Sequence, residues 1–61
     1  MLKVGVLGAG HLGKIHLRLL QQSDKYDLVG FYDVNERTGK EVESKFGYRF
    51  FPDLSSLIEA V

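Results

Sequence analysis

Three glycines between a short apolar segment and an amphipathic one are the feature that most constrains the fold of this chain. Gly8, Gly10 and Gly13 form the pattern Gly-x-Gly-x-x-Gly directly after the apolar run at residues 2–7. In such a pattern the first glycine allows a tight turn out of a strand, the second leaves the backbone open to close approach, and the third lets a helix pack against the strand. The glycines therefore predict a turn between a buried strand and a helix.

The rest of the sequence continues this alternation. We predict a helix from the glycines to about Gln22, and then in order a strand over residues 28–32, a helix capped by Asn35 and closed by Gly47, a short strand over 48–51, and a helix capped by Asp53. This βαβαβα order predicts a parallel sheet with strand order 3-2-1, one half of a Rossmann-type α/β fold. The last helix has no C-terminal cap, so we expect residues 1–61 to be the truncated N-terminal part of such a domain.

The spacing of apolar residues predicts which helix faces are buried. In the first helix the expected buried residues are Leu12, Ile15, Leu19 and Leu20, and in the second they are Gly39, Val42 and Phe46. On the second helix we also expect ion pairs of Glu36 with Lys40 and of Glu41 with Lys45. His16 has two interpretations: a contact to cofactor or substrate, or a buried histidine bonded to a backbone carbonyl, which we favour.

The glycine turn is also a predicted binding site for the pyrophosphate of a dinucleotide. The N–H groups of His11 and Leu12 open the helix, have no acceptor within it, and lie at the positive end of its dipole. Together with Gly8, Gly10 and Gly13 they are the expected anion-binding part of an NAD or NADP site. A strand–helix turn that binds no ligand is the alternative, and the residues alone leave it open.

An acidic residue at the end of the second strand extends this site. Asp33 follows Gly13 by twenty positions, where a carboxylate accepts hydrogen bonds from the ribose hydroxyls of the adenosine. The same carboxylate repels a 2′-phosphate, so NAD is favoured over NADP. Arg37 could contact a 2′-phosphate or stack on adenine, although an exposed helical arginine is the simpler interpretation. For Asp33 the alternative is a solvated turn residue.

Composition argues against several classes of function. Eight basic and eight acidic residues cancel and are interspersed, which is not typical of a nucleic-acid-binding surface. There is no cysteine, and the two histidines have no partner at a ligand spacing, so no metal site is predicted. The apolar run at residues 4–12 is too short and too interrupted for a membrane span or a secretory signal. We expect a soluble, cytoplasmic protein.

Three segments carry a resemblance to a known family: residues 8–16 (GAGHLGKIH), 28–33 (LVGFYD) and 51–58 (FPDLSSLI). They resemble the start of the glucose–fructose oxidoreductase / inositol dehydrogenase / rhizopine-catabolism (Gfo/Idh/MocA) family. The resemblance implies an NAD(P)-dependent oxidoreductase that moves a hydride between a sugar, cyclitol or related polyol and the nicotinamide. The Glu-Lys-Pro motif and the Asp–His pair of that family have no matching positions here. We therefore assign no catalytic residue and expect the substrate domain to be absent and the chain to be inactive by itself.

Other functions are also compatible with the glycine turn. A nucleotide-sensing regulatory module without catalysis shares the glycine turn and the acidic residue, and a fragment that binds no ligand is a third possibility; the motif ending at His16 favours the dehydrogenase.

In strand order 3-2-1 the outer edge of the first strand has no neighbour. We therefore expect a homodimer through that edge if the isolated segment folds.

Overall fold

The computed structural model describes residues 2–61 and contains two parallel strands and three helices. The elements are β1 (Leu2–Leu7), α1 (His11–Gln22), β2 (Tyr26–Tyr32), α2 (Glu36–Phe46) and α3 (Leu54–Ala60). The strands pair in parallel, with Leu2 opposite Tyr26 and Leu7 opposite Tyr32. The predicted α/β fold with a parallel sheet is thus confirmed.

The predicted third strand is reduced to a single bridge, and the strand order 3-2-1 is not confirmed. The sheet contains β1 and β2, and beside it Phe31 forms one parallel bridge with Phe50. In that bridge Phe31 donates its N–H to the carbonyl of Arg49 at 2.9 Å and accepts from the N–H of Phe51 at 2.8 Å. The chain leaves β2 directly after this bridge, and α3 begins at Leu54.

A bulge in β2 allows this close approach. Val4 pairs with Leu28 but Gly5 pairs with Gly30, so one residue of β2 is left without a partner. Gly30 has a φ of +153°, and a Cβ at this position would lie 2.5 Å from the carbonyl oxygen of Arg49. Any larger residue at position 30 would therefore push the bridging segment away from β2.

Apolar side chains are buried on both faces of the sheet. The main cluster contains Val6, Ala9, Leu17, Phe31 and Val42. On β1, Leu57 of α3 covers Gly5, where an added Cβ would lie 2.7 Å from a Leu57 methyl. Consecutive residues of a strand face opposite sides. Because Val6 is in the cluster with α1 while Gly5 lies under α3, these two helices pack on opposite faces.

The buried face of α1 differs from the predicted one. Leu17 is fully buried, whereas Leu12 and Leu19 are 69% and 56% exposed. The reason is Gly13, which lies against the carbonyl group of Gly8 and so fixes the rotation of the helix. Residues four apart share a helix face, so Leu17 points into the core and the predicted burial of Leu12 and Leu19 is wrong.

The ion pairs on α2 agree with the prediction in part. Glu36 and Lys40 are 2.9 Å apart. The hydrogen bond from Lys40 to Glu36, together with the negative charge of Glu36, raises the pKa of Lys40 above its ordinary value. In the part of the chain that the structure describes, Glu41 pairs with Arg37 at 3.4 Å instead of with Lys45. All these groups are exposed, so they contribute little to the free energy of unfolding.

The boundaries of α2 are those predicted from its caps. The side-chain oxygen of Asn35 accepts from the N–H of Thr38 at 3.1 Å, and Gly47 ends the helix with a left-handed φ of +82°. Asn35→Ala removes the acceptor, and we expect it to lower the free energy of unfolding by about 1 kcal/mol in urea denaturation. Asn35→Asp keeps an acceptor and is the control. Equal stabilities for the two variants would show that the cap contributes nothing.

Candidate dinucleotide-binding site

The glycine turn joins the end of β1 to the start of α1 beside the point where β2 ends. Gly8 has a φ of +89° and donates its N–H to the carbonyl of Tyr32 at 2.7 Å. A residue with a Cβ is strained at this φ, so the turn requires glycine at position 8. The carbonyl of Gly10 then accepts the N–H of Lys14 at 2.9 Å, which is the first bond of the helix. The end of β2 and the start of α1 are thereby held together.

The other two glycines differ in their surroundings. At Gly13 a Cβ would collide with the carbonyl oxygen of Gly8, so only glycine lets α1 lie this close to the turn. At Gly10 nothing lies within 4 Å of an added Cβ, and the residue is exposed. Gly10 is thus not needed for packing, and the space beside it is open to a ligand.

The start of α1 differs from those of the other helices in residues 2–61. Asn35 caps α2, and the carboxylate of Asp53 caps α3 by accepting from the N–H of Ser56 at 2.8 Å. In α1 no side chain caps the first turn and no acidic residue lies in it. The N–H groups of His11 and Leu12 have no intrahelical acceptor and belong to exposed residues. With the positive end of the helix dipole they form a suitable place for an anion.

The carboxylate of Asp33 lies directly beside this turn. Its Oδ2 accepts the N–H of Ala9 at 2.7 Å, and its Oδ1 accepts the N–H of Asn35 at 2.8 Å. Asp33 is half-buried, while Ala9 has no exposed surface. The sequence predicts Asp33 at the end of the second strand but does not predict its contact with Ala9. Nothing in the sequence signals a bond between residues 24 positions apart.

Arg37 and His16 have positions that the sequence did not settle. The guanidinium of Arg37 pairs with Glu41, and its side chain is 89% exposed, in agreement with the simpler interpretation. His16 is exposed, so the prediction that it is buried is wrong. It borders a hollow of about 410 Å³ beside β1, next to Leu7 and Leu19. This hollow is separate from the residues of the glycine turn.

The site consists of backbone donors and one carboxylate. Residues 2–61 contain no group of three or more side chains that could hold a metal ion. Across the same residues, no helix has the length and apolar character needed to cross a membrane. A ligand at the turn would meet the N–H groups at the start of α1 and the carboxylate of Asp33.

Comparison with known proteins gives consistent results. The sequence model of the Gfo/Idh/MocA family, described as "Oxidoreductase family, NAD-binding Rossmann fold", matches residues 2–61. The chain is 33% identical over 60 residues to glucose-6-phosphate 3-dehydrogenase of Bacillus subtilis (strain 168). It is 32% identical over 60 residues to UDP-N-acetylglucosamine 3-dehydrogenase of Acidithiobacillus ferrooxidans. Each alignment covers 98% of this chain but only 17% and 18%, respectively, of the relatives.

A solved structure is similar as well. The crystal structure of GenD2 from gentamicin A biosynthesis, in complex with NAD, matches with a TM-score of 0.78 and 31% sequence identity. The match covers 95% of this chain and 17% of that one. The chain therefore spans less than a fifth of the length of each of these relatives.

Proposed function

The chain belongs to the Gfo/Idh/MocA oxidoreductase family with its NAD-binding Rossmann fold, and we propose that residues 2–61 bind NAD through the glycine turn and Asp33. The observation that carries this proposal is the uncapped start of α1, which meets the end of β2 beside the open space at Gly10. The similarity to the NAD complex of GenD2 supports it.

Each part of the turn has a role in this proposal. The pyrophosphate approaches at Gly10 and accepts the N–H groups of His11 and Leu12. The carboxylate of Asp33 accepts the ribose hydroxyls of the adenosine. Each of its oxygens already has one N–H donor, from Ala9 or Asn35. A carboxylate oxygen accepts about two hydrogen bonds, so each oxygen keeps one position for a hydroxyl.

Replacement of Gly10 tests the site. In Gly10→Ala the new methyl meets no protein atom within 4 Å but fills the space proposed for the pyrophosphate. We expect the chain to stay folded and its affinity for NADH to fall at least ~10-fold, measured by NMR titration of the amides of residues 8–13 and 33. A dispersed wild-type spectrum that does not change on adding NADH would contradict the proposed function.

NAD is the proposed cofactor in preference to NADP. Asp33 presents a negative charge where a 2′-phosphate would lie, and Arg37 is paired with Glu41 rather than available to neutralise it. We expect the same titration with NADPH to give at least ~10-fold weaker binding than with NADH. Arg37→Ala is the control, because loss of an exposed ion pair changes the affinity for NADH by less than about threefold. Tighter binding of NADPH than of NADH would contradict this preference.

The proposal extends to the activity of a longer protein. Both curated relatives are named as 3-dehydrogenases of sugar derivatives. We propose that this site serves a dehydrogenase in which a hydride moves between a carbinol carbon of a sugar-type or polyol substrate and the nicotinamide. Residues 2–61 then hold the cofactor, and none of them is assigned to the chemical step. By itself this segment would bind the dinucleotide without catalysis.

We also propose that two copies of this chain pair through the outer edge of β1 when it is alone in solution. β2 occupies one edge of β1, while Leu7, Leu19 and Ile58 around the other are 56–67% exposed. Hollows of about 410 and 230 Å³ flank that edge on the sides of α1 and α3. An apolar strand edge of this kind pairs readily with another strand. Light scattering should give a dimer, and a folded monomer would overturn this proposal.

A further inference from the structure

The carboxylate of Asp33 connects two parts of the backbone before any ligand is present. Oδ2 binds the N–H of Ala9 in the glycine turn, and Oδ1 binds the N–H of Asn35 at the start of α2. The two bonds are 2.7 and 2.8 Å long, which are ordinary N–H···O distances. One side chain thus ties the turn to the segment that follows β2.

The hydrogen bond from Ala9 to Asp33 is the second of two that join the turn to the end of β2. The neighbouring N–H, that of Gly8, binds the carbonyl of Tyr32 at 2.7 Å. Two successive amides of the turn are therefore held by two successive residues of the chain, Tyr32 and Asp33. Ala9 has no exposed surface, so its N–H would be left without any acceptor if the carboxylate were removed. The backbone on either side, including Gly10, would have to rearrange.

We infer that Asp33 is a positioning residue for the pyrophosphate as well as an acceptor for the ribose. It holds Ala9 so that the turn and the first N–H groups of α1 are arranged for the anion in advance. The inference rests on the proposed function, because it assigns the geometry of that same site to Asp33. It also links cofactor preference to turn geometry: a residue at position 33 that admits a 2′-phosphate but has no side-chain acceptor also releases Ala9.

The two roles of Asp33 predict opposite effects of its removal on the affinity for a ligand that has no ribose. If Asp33 only contacted ribose, removing its negative charge would leave the affinity for inorganic pyrophosphate unchanged or raise it, because like charges repel. If Asp33 positions the turn, its removal lowers that affinity in spite of the charge. Inorganic pyrophosphate is therefore the probe that separates the two roles.

The experiment compares wild type, Asp33→Ala and Asp33→Asn, with Asp24→Asn as the control. Asp24 is exposed, so this control removes one negative charge away from the turn. We expect the Ala9 amide to be protected from hydrogen exchange in the wild type without cofactor. In Asp33→Ala it should exchange at least ~10-fold faster, while the amides of β2 near Leu28 keep their protection. Asp33→Asn keeps one acceptor and serves if Asp33→Ala fails to fold.

The second measurement is the affinity of each variant for inorganic pyrophosphate. We expect inorganic pyrophosphate to bind at least ~5-fold more weakly to Asp33→Ala than to wild type, and equally well to Asp24→Asn. In Asp33→Asn we expect the affinity for pyrophosphate to fall only if the Ala9 amide loses its protection. Equal or tighter binding to an Asp33 variant that has lost this protection, or an unprotected Ala9 amide in the wild type, would overturn the positioning role, and the proposed NADH site would still stand. A wild type that is folded, protects Ala9 and binds neither NADH nor pyrophosphate would overturn the proposed function and with it the positioning role.

Discussion

Gly13→Ala is expected to unfold most of this chain. The added Cβ would collide with the carbonyl oxygen of Gly8 and would lie 2.8 Å from its carbonyl carbon. Both atoms are backbone, so relief requires α1 to move away from the turn. Overpacking of this kind costs ~1–3 kcal/mol and more where the backbone must shift. A chain of this size is stabilised by only about 3–5 kcal/mol. Circular dichroism at 25 °C should show loss of most of the helical signal.

Gly10→Ala is the matched control for this variant. It places the same methyl group three residues earlier, where no atom lies within 4 Å and the backbone φ is an ordinary −68°. Its cost should stay at or below about 1 kcal/mol, which is the size of the N-cap preference for glycine over alanine. If both variants unfolded to the same extent, the close packing of α1 on Gly8 would not be the cause.

Leu17→Ala is expected to destabilise the chain strongly, while Leu12→Ala is not. The two leucines lie on the same helix, but Leu17 is fully buried and Leu12 is 69% exposed. Truncation of a buried leucine costs ~2–5 kcal/mol, which is comparable with the whole stability of such a chain. Truncation of the exposed one should change the free energy of unfolding by less than about 0.5 kcal/mol in urea denaturation. A larger effect of Leu12→Ala than of Leu17→Ala would contradict the rotation assigned to α1.

Local signals explain why most element boundaries could be predicted. Asn35 and Asp53 cap the helices that follow them, and Gly47 ends α2 in the left-handed conformation. These features depend on a few neighbouring residues, so the sequence contains them completely. The glycine pattern is local in the same sense, and it located the turn between β1 and α1 correctly.

Features that depend on tertiary packing could not be predicted in this way. The sequence allows several apolar stripes on α1, and only the contact of Gly13 with Gly8 selects the one that buries Leu17. Phe46 was expected in the buried stripe of α2, but it is 48% exposed and stacks on Tyr48 with ring centroids 6.2 Å apart. In both cases the deciding contact is with a residue that does not belong to the apolar spacing of the helix itself.

In the candidate site, too, the features set by local sequence could be predicted and those set by tertiary contacts could not. Its glycines could be identified from spacing alone, and Asp33 from its place after β2. The bond from Ala9 to Asp33 could not, because it joins residues 24 positions apart and uses a backbone N–H that any residue would supply. The sequence also could not decide the partner of Glu41, because Arg37 and Lys45 both lie four residues away from it.

The bond between Ala9 and Asp33 also sets the order in which the site can form during protein synthesis. The glycine turn is synthesised before any of β2 exists, so Gly8 and Ala9 at first have neither of their acceptors, Tyr32 and Asp33. At an elongation rate of ~5–20 residues per second, the 24 residues after Ala9, up to and including Asp33, take about one to five seconds to be added. Until then the nascent chain has the glycine motif but no preformed anion site. If the turn binds NAD as proposed, binding can begin only after β2 has been made.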